Sequence, residues 1–180
     1  SGYFYHTFPV VFSPDGSLIA SVNADKIVKL WDVKSHQIVA MLEGHSDRLY
    51  GLAFSPDGSL LASGGTDRTV KLWDVKSRQN TATLEGHSGR IASIAFSPDG
   101  SLIASGGDDQ TVMLWDVKSR QNIATLSGHS RSVYSVAFSP DGSLIASESV
   151  DKTVKLWDVR SWRNIATLTG HADTVFSVSF

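Results

Sequence analysis

Residues 43–84 read EGHSDRLYGLAFSPDGSLLASGGTDRTVKLWDVKSRQNTATL, and the rest of the 180-residue chain consists of further copies of this stretch or parts of one. Trp-Asp pairs recur at 31/32, 73/74, 115/116 and 157/158, and Gly-His pairs at 44/45, 86/87, 128/129 and 170/171, a period of 42 residues with no insertion. A fixed period of this length marks a repeat architecture, in which each repeat is one supersecondary unit that buries its apolar face against its neighbours. Residues 43–84 and 85–126 agree at 32 of 42 positions, which points to recent duplication or deliberate assembly.

Within each copy the residue types alternate between strand formers and turn formers. Ser-Pro-Asp-Gly, beginning at 13, 55, 97 and 139, has the chemistry of a type I turn, with proline at the second position and glycine at the fourth. SLIAS or SLLAS follows, then a polar turn such as GGTDR, then a run such as TVKLWDV, then NTATL or NIATL. Gly-His opens the loop to a further apolar run such as RLYGLAF or SVYSVAF. None of these runs has the 3.6-residue period of an amphipathic helix, so the expectation is an all-β chain with four short strands per copy.

The chain is 41% hydrophobic and 19% charged, ordinary for a globular protein, with a formal net charge of -2. It has no basic excess to gather phosphates, so nucleic acid is not an expected partner. There is no cysteine. That excludes disulfides and thiolate metal sites, and leaves the compartment open, with the cytoplasm as the expected location. No run approaches the roughly 18 apolar residues of a membrane span, and SGYFYHTF at the start has neither the basic region nor the apolar run of a signal peptide. The chain reads as soluble, with no membrane partner.

Each copy holds a histidine, a serine, an aspartate and a tryptophan at fixed offsets: His45, Ser63, Asp67 and Trp73, then His87, Ser105, Asp109 and Trp115, then His129, Ser147, Asp151 and Trp157. Serine, histidine and aspartate together invite a hydrolase reading, with the serine as nucleophile and the imidazole as base. The reading is weak, because a nucleophile needs a cleft and an oxyanion hole, whereas these serines fall in strand centres and recur without a distinctive loop around any one of them. Multiplicity argues for structure and against an enzyme. No copy clusters carboxylates with other ligands at ligand spacing, so neither a metal nor any cofactor is expected.

With Gly-His early and Trp-Asp late in every copy over residues 12–180, the unit resembles the WD40 repeat. The resemblance implies a β-propeller of four-stranded antiparallel blades, with the strand after Gly-His innermost. It also implies a hydrogen-bond network inside each blade: Trp indole to Ser hydroxyl, hydroxyl to His ring, the other ring nitrogen to the turn Asp. The second residue of each Trp-Asp pair (Asp32, Asp74, Asp116, Asp158) is expected to bind backbone amides in the turn that follows.

The two ends break the pattern in complementary ways. The first copy has Ser21, Asp25 and Trp31 but Tyr3 where histidine belongs, and Pro9 inside the expected innermost strand limits that segment to a sheet edge or to no strand. Residues 1–12 are therefore a degenerate N-terminal segment, and 13–180 are four permuted repeats. The last copy has His171 and a run like an innermost strand, then stops. The expectation is a C2 homodimer closed as an eight-bladed ring, in which residues 174–180 of each chain complete the 13–42 blade of the other and displace residues 3–11. Closure within one chain as four blades, and a piece cut from a longer repeat protein, are the alternatives.

Differences between copies gather after Gly-His and in the turn before each Thr-Val strand, while FSPDGSL and LWDV hardly change. Both loop sets fall at one end of the strands. Arg48, Tyr50, Arg68, Arg90, Arg131, Tyr134, Lys152 and Phe176 supply there the Arg and aromatic side chains of binding hot spots, the expected surface for a peptide or protein loop. Trp162 falls at the opposite end, where it is expected to pack over its own blade. The functional expectation is a non-catalytic protein-interaction scaffold. The alternatives are an engineered or excised array that self-assembles without a native ligand, and the hydrolase.

Overall fold

In a computed structural model, which describes residues 9–174 and 177–180, the chain forms four antiparallel sheets of four strands each. The first holds β1 (Val10–Phe12), β2 (Leu18–Val22), β3 (Val28–Asp32) and β4 (Gln37–Leu42); the second holds β5 (Leu49–Phe54), β6 (Leu60–Gly65), β7 (Thr69–Asp74) and β8 (Gln79–Glu85). The third holds β9 (Ile91–Phe96), β10 (Leu102–Gly107), β11 (Thr111–Asp116) and β12 (Gln121–Ser127), and the fourth β13 (Val133–Phe138), β14 (Leu144–Ser149), β15 (Val154–Asp158) and β16 (Arg163–Leu168). Strands pair in chain order, so every sheet is a meander closed by tight turns.

Local chemistry accounts for the turns. In each Ser-Pro-Asp-Gly the glycine N–H donates to the serine carbonyl three residues back, as Gly58 does to Ser55 at 2.9 Å. The Gly58 φ of +72° is one that a side chain resists. The aspartate clamps the turn: Asp57 Oδ1 accepts from Ser55 Oγ at 2.6 Å and from the Ser59 N–H at 3.0 Å. At the next turn of the sheet Asp74 Oδ1 accepts from the Ser77 N–H at 2.6 Å, and Asp32, Asp116 and Asp158 hold Ser35, Ser119 and Ser161 likewise.

Adjacent sheets meet face to face, and each joint is an apolar core of the same composition. Val70, Leu72 and Leu84 of the second sheet pack on Ile91, Ile94, Ile103 and Trp115 of the third. Val112, Leu114 and Leu126 of the third pack on Val133, Val136, Ile145 and Trp157 of the fourth, with Trp162 against the same cluster. The joint between the first and second sheets follows this scheme with Val28, Leu30 and Leu42 on Leu49, Leu52, Leu61 and Trp73. Innermost strands lie side by side across these joints, β5 on β9 and β9 on β13. Among the described residues, no comparable packing joins the first sheet to the fourth.

Both ends depart from the regular unit. Pro9 has no N–H to donate, and pairing starts one residue later: β1 runs antiparallel to β2 over three residues at the sheet edge. The degenerate segment thus supplies a short innermost strand of its own. At the other end residues 177–180 form no strand, since no neighbouring strand lies beside them. Tyr3, Val175 and Phe176 lie outside the described residues.

Candidate functional site

Three of the repeated networks are assembled with nearly identical geometry. Trp73 Nε1–H donates to Ser63 Oγ at 2.7 Å, His45 Nε2 stands 2.7 Å from the same oxygen, and His45 Nδ1 stands 2.7 Å from Asp67 Oδ2. The matching distances are 2.8, 2.8 and 2.7 Å for Trp115, Ser105, His87 and Asp109, and 2.7, 2.8 and 2.8 Å for Trp157, Ser147, His129 and Asp151. An ionised carboxylate only accepts, so Nδ1 carries the proton and donates to the aspartate. With the indole already donating to the serine, the hydroxyl passes its own proton to Nε2, and every donor has an acceptor.

Burial sets the electrostatics. Burial by itself would raise the Asp67 carboxyl. The hydrogen bond from His45, with the Ser46 N–H at 3.1 Å, outweighs it and holds the group below its ordinary range. Asp109 and Asp151 are held low in the same way, Asp151 chiefly through Thr153 and the Ser130 N–H. For His129 burial outweighs the attraction of Asp151 and lowers the imidazole, which keeps it neutral near pH 7. The order Ser–His–Asp is that of a nucleophilic triad, yet Ser63, Ser105 and Ser147 are 0% exposed and each hydroxyl already receives an indole N–H. Hydroxyls so enclosed present no open face to a substrate, and the chemistry of the network is satisfaction of buried polar groups.

The first copy differs. Trp31 Nε1–H donates to Ser21 Oγ at 2.8 Å, but among the described residues no imidazole bonds Asp25, which takes Lys29 Nζ at 2.9 Å. His171, at the other end of the chain, is exposed and is not brought to Ser21, Asp25 or Trp31. Sequence reasoning did not foresee Lys29 in that place.

The variable loops meet at one end of the sheets. The Thr66 N–H donates to the Arg48 carbonyl at 2.8 Å, Lys26 Nζ to the Ser46 carbonyl at 2.8 Å, and Lys152 Nζ to the Ala172 carbonyl at 2.8 Å. Arg68 and Lys152 stand in left-handed backbone conformations, φ +64° and +70°, at the tips of their turns. Arg48, Arg68, Arg131 and Lys152 are exposed. Arg90 is different: its guanidinium lies over the Tyr50 ring at 4.6 Å and the Tyr134 ring at 5.7 Å, and it grips Asp108 through Nε at 3.0 Å and Nη2 at 3.3 Å. Ala92, where the neighbouring copies carry Tyr50 and Tyr134, leaves the room for Arg90 to fold inward. The structure thus brings Tyr50, Arg90 and Tyr134 together across three sheets and leaves Arg48, Arg68, Arg131 and Lys152 around them; Phe176 falls outside the described residues.

One buried group stands outside both arrangements. Glu148 is 0% exposed, and among the described residues neither carboxyl oxygen has a hydrogen-bond partner. Gly64 and Gly106 occupy the matching positions, and a Cβ there would press on Ile94 and on Val133 of the next sheet at 2.9 and 2.7 Å. Glu148 therefore lies on the side of β14 that a following sheet would cover. Burial, with Asp151 nearby, pushes its carboxyl up to about 8. The interruption of the glycine pattern was the available signal for it.

A family model described as WD domain, G-beta repeat matches residues 10–32, 36–74, 78–116 and 120–158. Among curated proteins the chain is 40% identical over 43 residues to the general transcriptional corepressor TUP1 of Saccharomyces cerevisiae, covering 24% of this chain and 6% of that protein. It is 50% identical over 38 residues to the probable serine/threonine-protein kinase PkwA of Thermomonospora curvata, covering 21% of this chain and 5% of that protein. Each match spans about one repeat and a small fraction of the relative.

Proposed function

We propose that this chain, which belongs to the WD40 repeat family, acts as a non-catalytic scaffold that binds a peptide or protein loop on the face where the Gly-His loops and the turns before the Thr-Val strands meet. The observation that carries this is the Arg90 socket. A guanidinium fixed between two tyrosines and an aspartate is a preorganised anchor of the kind that dominates binding energy, since little side-chain freedom remains to be lost on association. Arg48, Arg68, Arg131 and Lys152 form an exposed basic rim around it. Replacing Arg48, Arg90 and Arg131 together with alanine abolishes capture of the proteins that the intact chain retains from a lysate. Unchanged capture contradicts the assignment.

A second reading concerns the partner and is favoured by the two ends. Leu168 is 50% exposed where Leu42, Leu84 and Leu126 are 2–3% exposed, and Phe12 is 62% exposed. Phe12, Ile19, Trp31, Val33 and His36 line an open hollow on the outer face of the first sheet. These are the two halves of a joint of the internal kind, one at each end of the described chain. A second copy fits both, giving a C2 pair with two such joints and eight blades. Sedimentation equilibrium reads it: twice 19.4 kDa supports the pairing, and 19.4 kDa at every concentration rejects it.

A further inference from the structure

Arg48 and Arg90 hold one repeat position in the second and third sheets. The backbone sets them alike: the Thr66 N–H donates to the Arg48 carbonyl and the Asp108 N–H to the Arg90 carbonyl, each at 2.8 Å. The backbone at Thr66 therefore stands to Arg48 as the backbone at Asp108 stands to Arg90. In the third sheet the side chain there is a carboxylate, and Arg90 grips it with the fork of Nε and Nη2 at 3.0 and 3.3 Å. In the second it is a threonine.

Arg48 is thus left with half of a pair. It is exposed, and among the described residues its guanidinium meets no carboxylate. Asp47 beside it is occupied with the Arg48 backbone N–H at 2.8 Å, and the Thr66 hydroxyl has no partner among the described residues. The fourth sheet shows the position without either half: Val150 and Ser132 keep the backbone bond, at 3.0 Å, and neither side chain carries a charge. Arg68, in the same turn as Thr66, is exposed, as are Arg131 and Lys152, and among the described residues no carboxylate pairs with any of the three. The network aspartates Asp67, Asp109 and Asp151 lie beneath this rim, their side chains 6–8% exposed and bound to imidazoles.

We propose that Arg48 and Thr66 dock a carboxylate side chain of an acidic peptide, with the ligand's carboxylate in the place that Asp108 holds beside Arg90. The proposal rests on the scaffold reading above and names the chemistry of the partner. A planar guanidinium presents parallel N–H donors that match a carboxylate, and the Arg90–Asp108 pair is that match within this chain. Arg90 already has its carboxylate and serves the partner as a packed anchor between Tyr50 and Tyr134, so the charge pairing falls to Arg48. Thr66 adds a hydroxyl donor with no charge of its own. Arg68, Arg131 and Lys152 draw an anionic segment toward the site and raise its rate of encounter.

The probe is a fluorescein-labelled oligomer of glutamate, read by fluorescence anisotropy against the same oligomer of glutamine. The chain binds the glutamate oligomer and not the glutamine one. Thr66→Asp copies the third sheet into the second, gives Arg48 an internal carboxylate and weakens binding about tenfold, as does Arg48→Gln. Gln110→Asp, at an exposed turn tip of the same face, adds the same charge away from Arg48 and changes binding less than about twofold. Thr66→Asp binding like the original chain, or Gln110→Asp weakening binding as much as Thr66→Asp does, overturns the docking point. An oligothymidylate that displaces the glutamate oligomer at equal concentration overturns the acidic peptide in favour of a nucleic acid. Equal affinity for the two peptide oligomers, with capture from a lysate still lost when Arg48, Arg90 and Arg131 are replaced, overturns the acidic class and leaves the scaffold reading standing. Capture that survives the triple replacement overturns the scaffold reading and the docking point with it.

Discussion

Removing the Ser105 hydroxyl strands two buried groups at once, the Trp115 indole N–H and the His87 Nε2. Ser105→Ala therefore lowers the unfolding free energy by about 1–3 kcal/mol for each stranded group, whereas Ser21→Ala, in the blade without an imidazole, strands the Trp31 indole alone. Denaturant titration of the two variants checks the difference, and equal losses contradict the role given to the imidazole. Glu148 works in the opposite sense. Its carboxyl sits above the ordinary value in the fold and near it in the unfolded chain, so the fold binds the extra proton, and stability falls as pH rises from about 4.5 to about 8. Glu148→Gln keeps the shape and removes that slope, with a gain on the order of 1–3 kcal/mol above pH 8; thermal unfolding across that range measures it. In acid the sign reverses: the lowered His129 acts first, as pH falls through 6.5, and the depressed network aspartates follow below about 3.8, since in each case protons bind preferentially to the unfolded chain and stability falls. The network members were legible in the sequence because all four recur at constant offsets. Glu148 was legible only as an interruption of Gly64 and Gly106, since its burial depends on packing that no pattern of its own strand displays. Lys29 on Asp25 was not legible: Met41 stands where Thr83 and Thr167 accept from Lys71 and Lys155, and the lysine turns to the aspartate instead.

Strands were readable where turn chemistry bounds them. Ser-Pro-Asp-Gly fixes the start of β2, β6, β10 and β14 through an aspartate that bonds both neighbouring serines, so composition and conformation coincide there. At the chain ends pairing depends on what lies alongside, and sequence does not carry that. Pro9 left the first segment either an edge strand or no strand, and β1 forms as an edge strand three residues long. The tail has the composition of β13, yet the described residues 177–180 form no strand, and no strand pairs with them. The same dependence on surroundings separates Leu126 from Leu168, which hold one repeat position at 3% and 50% exposure. Leu126→Asp puts a charge into a closed joint and destabilises the fold by about 3 kcal/mol or more. Leu168→Asp leaves the circular dichroism of the single chain unchanged and abolishes association, as sedimentation reads it. Loss of folding in Leu168→Asp contradicts the view that this face is open in the single chain.

At the scale of the molecule, a strict period makes the three joints between successive sheets one heterologous contact repeated. Repeat stability is a sum of unit and neighbour terms, and a fourth joint of equal composition adds another neighbour term without any new kind of interaction. In the proposed pair, two copies would supply two such joints and close on themselves, which would remove the open faces that otherwise invite aggregation. The proposed interaction face depends on the order of the sheets. Tyr50, Arg90 and Tyr134 come from three successive sheets, so their convergence depends on the order in which blades stand around the inner edge. The period in the sequence carried the number and kind of sheets, whereas ring size is set by small angles between sheets that repeat spacing does not encode. Electron microscopy of the assembled protein viewed down its inner edge counts the blades directly: the account predicts closed rings of eight, and open arcs or closed rings of four contradict it.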